Sequence, residues 1–271
     1  YEISLGLVGS EMCIRDRQTA VAMASAIAKN GGKPVFNVYS SFIQRTYDQL
    51  SQDLCIDSNP ATILVQTASV NGMTDVTHIG IFDIPMISNI PNLVYIAPTT
   101  KEDYLAVLDW SIEQTDYPVA IRVPVAELVS TGKPCTKNFA ELNKYEVAQQ
   151  GGKIAVIALG SFYGMGEQAA KLIEEKTGTA PTLINPYYIT GVDTELLESL
   201  KKGHDVVVTL EDGVLDGGFG EKIARFYGPS DVKVINFGLK KEFIDRYNPA
   251  DVLKENRLTP EQIAEDAVAL I

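Results

Sequence analysis

The chain has 271 residues, of which 45% are apolar, and a formal net charge of −12. This length supports one large globular domain or two ordinary ones with real cores. Nucleic acids and anionic membranes attract basic patches, so the acidic balance argues against both as partners. No apolar run approaches the roughly 18 residues of a membrane span. The three scattered cysteines have no zinc spacing, so we expect a cytoplasmic protein without a disulfide framework.

The first 17 residues have no clear period, and their charges crowd at the end. No basic region precedes their apolar part, which argues against a signal peptide. An Ala-rich helical pattern begins abruptly at Gln18 and runs to Lys29, before two glycines that end it. We therefore expect residues 1–17 to be a non-native or scar segment joined to a truncated protein. A natural N-terminal extension is the alternative.

From Gln18 onward, apolar runs alternate with helical patterns. The strands predicted in the first half are residues 35–38, 62–66, 93–97 and 119–123. The clearest helix spans residues 101–114, where Thr100 and Asp103 are spaced as a capping box. Such alternation predicts a mostly parallel sheet with helices on both faces.

Residues 126–150 have little periodicity and several turn residues, which predicts a linker. A second series follows, with strands predicted at residues 154–159, 182–184, 206–210 and 232–237. Thr259 and Pro260 mark the start of a last helix. The predicted fold class is therefore α/β, with two doubly wound domains of mostly parallel sheets at residues 18–125 and 151–271.

Two glycine-rich turns precede helices in the second half. The turn from Gly160 to Gly166 lacks the spacing of the dinucleotide motif, and no acidic residue ends the next strand. The turn from Glu211 to Gly220 opens a helix whose N-terminus could hold an anion, although its own carboxylates would repel one. We interpret both turns as structural.

The most distinctive stretch runs from Tyr39 to Leu50, between a predicted strand and a helix with apolar residues at positions 43, 47, 50 and 54. Aromatic and polar side chains at the carboxyl end of a buried strand lie where open α/β sheets bind ligands. A strand–helix turn with a capping serine is the alternative interpretation.

The chain has two histidines, in different settings. His78 lies in a loop rich in glycines and hydroxyls, where an imidazole can exchange protons near neutral pH. A capping or packing role is the alternative for His78. His204 lies in a polar turn, and we interpret it as a solvated residue.

Several of these segments resemble those of one enzyme family. Residues 39–49, YSSFIQRTYDQ, resemble the Y-S-[ST]-F-x-Q-R-[AG]-Y-D-Q segment of 1-deoxy-D-xylulose 5-phosphate synthases, which are thiamine-diphosphate enzymes related to transketolase. Residues 77–83, THIGIFD, resemble their T-H-x-G-x-F-D. Asn185-Pro186 resembles their N-P-R-[FW], and residues 211–220 resemble their E-[ED]-[GN]…G-G-F-G. The resemblance extends from Gln18 to Ile271.

The resemblance implies a transketolase-like pyrimidine-binding domain followed by a transketolase-like C-terminal domain. The family's first domain, which holds the diphosphate through Mg²⁺ and a G-D-G…N motif, is not found in this sequence. We therefore expect no metal ligands in the chain itself. The implied partners are a small-molecule substrate and either a second copy, in a homodimer, or a diphosphate-binding domain or subunit.

The site residues carry over one by one. Phe42 matches the aromatic residue that stacks on the aminopyrimidine of thiamine diphosphate, and Gln18 matches the last residue of the family's cofactor-side G-I-A-E-Q motif. Tyr39, Arg45 and His78 match residues on the substrate side, where donors steady an oxyanion. His78 would orient the substrate or shuttle a proton.

Four positions depart from the family, one of them Thr74, where the family has an acidic residue four positions before the histidine and this chain has Asp75 one step over. Arg17 stands where a Glu protonates the aminopyrimidine, and a guanidinium would oppose that protonation. Thr67 and Val125 stand where arginines hold the phosphate of glyceraldehyde 3-phosphate. We therefore expect the chain to be inactive by itself, and the identity of the acceptor stays open.

Three hypotheses about function follow. The first is the C-terminal portion of a 1-deoxyxylulose-phosphate-synthase-like transferase, which decarboxylates pyruvate and passes two carbons to an aldehyde for isoprenoid and thiamine precursors. The second is a transketolase or split transketolase subunit with another acceptor. The third is a non-catalytic module that docks a diphosphate-binding partner.

Overall fold

The computed structural model describes residues 14–125 and 129–271. Most of the predicted scar segment, residues 1–13, and the first residues of the predicted linker, 126–128, lie outside the described residues. The first helix, α1, spans Ile14–Lys29 and so begins before Gln18, where the sequence predicted its start. It ends before Gly31, whose φ of +80° leaves the helical region. Arg17 and Gln18 therefore lie on one helix.

The sheet of the first domain is parallel throughout. Its strands are β1 (Val35–Tyr39), β2 (Thr62–Gln66), β3 (Val94–Ile96) and β4 (Val119–Arg122), which pair in the order β1-β2-β4-β3. Alternate residues of β4 face different cores: Ala120 packs in one cluster with Val21 of α1, whereas Ile121 packs in another with Val107. Both faces are thus covered, as parallel sheets require.

An irregular helical stretch connects β1 to β2, where the sequence predicted one helix. It comprises α2 (Ser40–Ile43), a 3₁₀ turn (Gln44–Thr46), α3 (Tyr47–Gln49) and a π-helical turn (Leu50–Cys55). The predicted apolar positions 43, 50 and 54 are buried. Tyr47 is exposed instead, and its hydroxyl donates to Asn89 at 3.0 Å.

The remaining helices of the first domain are α4 (Asp83–Ile87) and α5 (Lys101–Glu113). The predicted capping box of α5 is confirmed: the backbone N–H of Asp103 donates to the Thr100 hydroxyl at 3.0 Å, and Asp103 accepts from the Thr100 N–H at 3.2 Å.

The second domain has a mixed sheet in the order β5-β7-β6-β8-β9, in which β5 alone is antiparallel. Its strands are β5 (Glu146–Gln149), β6 (Lys153–Ala158), β7 (Thr182–Asn185), β8 (His204–Val214) and β9 (Lys233–Leu239). Its helices are α6 (Tyr163–Thr177), α7 (Thr194–Leu200), α8 (Phe219–Tyr227), α9 (Pro249–Glu255) and α10 (Pro260–Val268). The predicted α/β class with mostly parallel sheets is confirmed. None of the described helices is long and apolar enough to cross a membrane.

Two features of this domain differ from the sequence predictions. The range predicted as linker, 126–150, includes the edge strand β5. His204 is only 7% exposed: its Nε2 lies 2.8 Å from the Thr182 hydroxyl and its Nδ1 3.0 Å from the Leu200 carbonyl oxygen. The interpretation of His204 as solvated was wrong, because β7, two places away from β8 in the sheet, supplies a partner that the local sequence does not reveal.

The glycine-rich turns serve packing and helix capping. At Gly160, φ is +53° and an added Cβ would lie 2.9 Å from the Cβ of Ala97, so glycine allows the two domains to approach. Glu211 accepts the N–H groups of Phe219 and Gly220 at 2.8 and 2.7 Å. The first N–H groups of α8 are therefore satisfied by the protein's own Glu211 side chain, which agrees with the structural interpretation.

Backbone hydrogen bonds join the two domains at the carboxyl end of β3. The Ala97 N–H donates to the Tyr187 carbonyl at 2.7 Å, and the Ile189 N–H donates to the Tyr95 carbonyl at 2.8 Å. Asn185, from the predicted Asn-Pro motif, donates to the Thr99 hydroxyl at 3.1 Å. The first domain thus packs against the carboxyl ends of the strands of the second.

Candidate functional site

Three aromatic rings meet where β1 ends. Tyr39 is the last residue of β1 and has extended backbone angles, and α2 starts at the next residue. This turn places the Phe42 ring centroid 5.6 Å from that of Tyr39 and 5.1 Å from that of His78. The structure therefore brings together three residues that the sequence singled out.

His78 belongs to the loop of residues 67–82, which follows β2 and which we call the His78 loop. The backbone N–H groups of His78 and Ile79 both donate to the Asp75 carbonyl at 2.9 Å. Nδ1 of His78 lies 2.8 Å from the Thr77 hydroxyl oxygen. Nε2 has no hydrogen-bond partner among the described residues, so this nitrogen is available to a ligand.

Gly80 seats the His78 loop on the end of the sheet. An added Cβ would lie 2.1 Å from the Thr67 carbonyl oxygen and 2.7 Å from the Ser40 hydroxyl oxygen. Because such distances are impossible without movement, only glycine allows this approach. The loop and the start of α2 are thereby held against each other, which fixes the contact between His78 and Phe42.

One guanidinium group lies against the rings, and a second lies near the first. Cζ of Arg17 lies 3.8 Å from the centroid of Phe42, a cation–π contact that covers one face of the ring. Burial, and next the positive charge of Arg45, lower the pKa of Arg17. Within the described part of the chain, neither arginine forms a salt bridge.

A cavity of about 240 Å³ lies between α2 and the His78 loop, lined mainly by sequence neighbours of the three rings rather than by the rings themselves. Ser40 and Ser41 contribute buried hydroxyl oxygens that have no hydrogen-bond partner, which is unusual for buried polar groups. Its lining residues are Ser40, Ser41, Gln44, Val76, Thr77, Ile79, Phe82, Met86 and Phe243. The cavity thus has largely apolar walls, and the two unsatisfied hydroxyl oxygens are buried behind its surface.

The other predicted site residues lie at the border of this arrangement. Arg45 is exposed at the 3₁₀ turn, and Gln18 lies next to Arg17 on α1. No described contact joins Gln18 to the rings. Phe243, which lies 5.9 Å from Phe82 between ring centroids, was missed from the sequence, because nothing near position 243 links it to a loop so far away in the chain.

Thr67 and Val125, which stand where the family carries phosphate-binding arginines, lie at the carboxyl ends of two adjacent strands of the first sheet. Thr67 follows β2 with a φ of +54°, and its hydroxyl donates to the Gln66 carbonyl at 2.7 Å. Val125 follows β4, which is adjacent to β2 in the sheet. Neither side chain is positively charged. Arg122, the arginine nearest to Val125 in the sequence, is buried, and its guanidinium donates to the carboxylates of Asp83 and Asp212.

The described residues offer only part of what a thiamine-diphosphate site needs. The flat ring of Phe42 fits an aminopyrimidine, whereas Arg17 lies over one face of that ring. Among residues 14–125 and 129–271, no group of three or more His, Cys, Asp or Glu side chains is arranged to hold a metal ion.

Comparison with protein families matches nearly the whole chain. Residues 15–130 match the model described as the transketolase pyrimidine binding domain, and residues 143–263 match the model of the transketolase C-terminal domain. The two matched ranges are separated by residues 131–142, which lie within the range that the sequence predicted as linker.

Several curated relatives share one name. The chain is 35% identical to the 1-deoxy-D-xylulose-5-phosphate synthase of Clostridium tetani over 256 residues, which cover 94% of this chain and 41% of the relative. The corresponding protein of Symbiobacterium thermophilum is 35% identical over 260 residues, covering 94% and 39%. The chain therefore spans about two fifths of the length of the curated relatives that it matches.

Solved structures share the fold. A structure titled split gene transketolase, inactive beta4 tetramer, superposes with a TM-score of 0.80 at 20% identity and covers 93% of this chain and 81% of that chain. A transketolase from Pichia stipitis in complex with sedoheptulose 7-phosphate has a TM-score of 0.75 at 17% identity, covering 94% and 36%.

Proposed function

The chain belongs to the transketolase family through its pyrimidine-binding and C-terminal domains, and we propose that it forms the pyrimidine-facing part of a thiamine-diphosphate site. The parent activity would be that of a transferase resembling 1-deoxy-D-xylulose-5-phosphate synthase, the name of its 35%-identical relatives. The observation that carries the proposal is the contact of Phe42 with both Tyr39 and His78 at the end of β1.

Two of the three rings, Phe42 and His78, have distinct tasks in this proposal. When bound, thiamine diphosphate supplies a carbon nucleophile for the donor carbonyl. Phe42 packs against the aminopyrimidine through its apolar face. His78 holds or moves a proton at its free Nε2, next to the position where a substrate oxygen gains negative charge.

The proposal also requires groups that the described residues do not supply. The diphosphate and its Mg²⁺ would be held by a separate domain or a partner subunit. Arg17, which stands where the family carries a Glu, covers the ring face of Phe42 and opposes protonation of a bound aminopyrimidine. We therefore propose that the chain is inactive by itself, with pyruvate as donor and an aldehyde as acceptor in the assembled enzyme.

A transketolase with a different acceptor is the second candidate. Thr67 and Val125 lie at neighbouring strand ends and cannot give the bidentate contacts by which arginines hold a phosphate. A hydroxyl and an isopropyl group at this edge instead suit an acceptor with a smaller or less charged end.

A non-catalytic partner module is the third candidate. The split-gene neighbour, whose title describes an inactive tetramer, is matched over 81% of its length, so its chain has nearly the same extent. By analogy, the present chain would associate with copies of itself, or would dock a diphosphate-binding partner to become active.

A reconstitution assay tests these proposals. The chain and its Arg17→Glu variant are each mixed with the diphosphate-binding domain of a relative, thiamine diphosphate and Mg²⁺. Product formed from pyruvate and glyceraldehyde 3-phosphate supports the first candidate, and turnover with ketose phosphates alone supports the second. A stable complex without turnover supports the third.

Two phenylalanine variants serve as matched controls in the assay. Phe42→Ala in the Arg17→Glu background abolishes turnover, because the ring that faces the pyrimidine is lost. Phe226→Ala removes a half-buried ring that packs on Tyr227 in α8, remote from the site, and leaves turnover unchanged. Equal loss in both variants contradicts the role of Phe42.

A further inference from the structure

We propose that residues 240–248 of the second domain, which we call the strap, position the His78 loop, with Tyr247 and Asp245 as positioning residues. The strap joins β9 to α9 and has no regular secondary structure. The relevance of this positioning to catalysis rests on the proposed function of His78. The positioning itself is a property of the chain and can be measured without cofactor or turnover.

Tyr247 holds the first part of the His78 loop. Its hydroxyl donates to the Val70 carbonyl at 2.8 Å and lies 3.3 Å from the Met73 carbonyl oxygen. Its ring packs in the cluster that includes Val70 and Ile79. Burial raises the pKa of Tyr247 to about 12, so the phenol keeps its proton and remains a donor at neutral pH.

Asp245 and Arg246 hold the middle of the loop. The Asp245 carboxylate accepts the Val76 N–H at 3.1 Å, two residues before His78. The Arg246 N–H donates to the Thr74 carbonyl at 2.8 Å, from a backbone with φ of +49°. A non-glycine residue in this region is uncommon, and here it turns the N–H toward the loop.

The second domain also holds the end of the loop. The Val214 N–H at the end of β8 donates to the Ile81 carbonyl at 3.0 Å. Phe243 of the strap contacts the Phe82 ring, with 5.9 Å between centroids. His78 therefore lies between two segments that are both tied to the other domain. We infer that the second domain fixes where His78 stands relative to Phe42.

Amide hydrogen exchange of the loop provides the test. Tyr247→Phe removes the phenol hydroxyl, and Asp245→Ala removes the acceptor for Val76. Each loses about one hydrogen bond, so exchange of the Val76, His78 and Ile79 amides becomes about fivefold faster. Asp245→Asn keeps an oxygen acceptor in the same place and restores exchange close to that of the unmodified chain.

A second tyrosine provides the matched control. Tyr227 donates its hydroxyl to the Leu197 carbonyl at 2.8 Å, within the second domain and remote from the loop. Tyr227→Phe loses an equivalent hydrogen bond but leaves exchange of the loop amides unchanged. Unchanged exchange in Tyr247→Phe and Asp245→Ala, or equal acceleration in Tyr227→Phe, overturns the proposal.

The ring protons of His78 give a readout that general loosening does not move. They lie in the ring-current field of Phe42, 5.1 Å away between centroids, so their NMR shifts report the contact directly. We expect Tyr247→Phe to change these shifts and Tyr227→Phe to leave them in place. If amide exchange and the His78 shifts respond as expected but reconstitution yields no turnover, the positioning role of the strap is supported and the proposed catalytic function is contradicted.

Discussion

Arg122 donates to Asp83 twice, from Nε to Oδ2 at 2.8 Å and from Nη2 to Oδ1 at 3.3 Å, with both side chains buried. Its Nη1 bonds to Asp212 of the second domain, and the Tyr95 hydroxyl donates to the same Asp83 carboxylate. Burial opposes the charge on Arg122, but the carboxylates of Asp212 and Asp83 outweigh it and hold its pKa well above the ordinary value. This network ties Asp83, the residue that follows the His78 loop, to both domains.

Arg122→Met is expected to lower the free energy of unfolding by about 3–5 kcal/mol, because it leaves two buried carboxylates without their cation. Chemical denaturation measures the change. The control is Lys29→Met, which removes the exposed salt bridge to Asp57 at 2.9 Å and costs at most about 1 kcal/mol. Similar losses in the two variants would show that the buried network is not a special source of stability.

Gly80→Ala is expected to displace the His78 loop. The new Cβ would collide with the Thr67 carbonyl oxygen and the Ser40 hydroxyl, so the loop must move at a cost of about 1–3 kcal/mol. Denaturation measures the cost, and the NMR shifts of the His78 ring protons report the displacement. Gly164→Ala in α6 meets no atom within 4 Å and is expected to stabilise by about 0.5–1 kcal/mol. Unchanged His78 shifts in Gly80→Ala would contradict the packing argument.

Thiamine diphosphate with Mg²⁺ is expected to leave the unfolding midpoint of the unmodified chain unchanged. Ligands stabilise a protein only to the extent that they bind its native state, and the described residues offer no metal-binding group while Arg17 covers Phe42. Calorimetric titration checks the same point directly. Micromolar binding by the chain alone would contradict the expectation, and inorganic pyrophosphate with Mg²⁺ would then reveal whether the diphosphate alone is bound.

The sequence predicted what is encoded locally or by simple topology. Strand β2 was predicted at its observed bounds, and the capping box of α5 has the predicted partners. The meeting of Phe42 and His78 is a consequence of parallel topology, because the two residues follow adjacent strands, whose carboxyl ends share one edge.

Contacts between distant parts of the chain could not be predicted in this way. Asp212 bonds to Arg122 from 90 positions away, and Tyr247 reaches Val70 across 177 positions. The sequence pattern around either residue gives no information about its distant partner. His204 illustrates the same point, since the polar residues around it indicate a turn, while its partner Thr182 lies on another strand.

Glu211 should give the stability of the protein a pH dependence. Burial raises its pKa from 4.5 to about 7, against the two backbone N–H groups that favour the charged form. Between these pH values the native state holds a proton that the unfolded state has lost. The contribution of Glu211 to the free energy of unfolding is therefore greatest below pH 4.5. It falls by about 3 kcal/mol as the pH rises to 7.

Denaturation curves at pH 5, 6, 7 and 8 measure this slope. In Glu211→Gln the slope is expected to disappear, because the amide does not titrate, although overall stability is lower since only one amide oxygen can accept from Phe219 or Gly220. Glu242→Gln, in the exposed strap, keeps the slope of the unmodified chain and serves as the control. If Glu211→Gln retained the full slope, the titrating group would lie elsewhere, and the carboxylate at the start of α8 would be charged across the whole range.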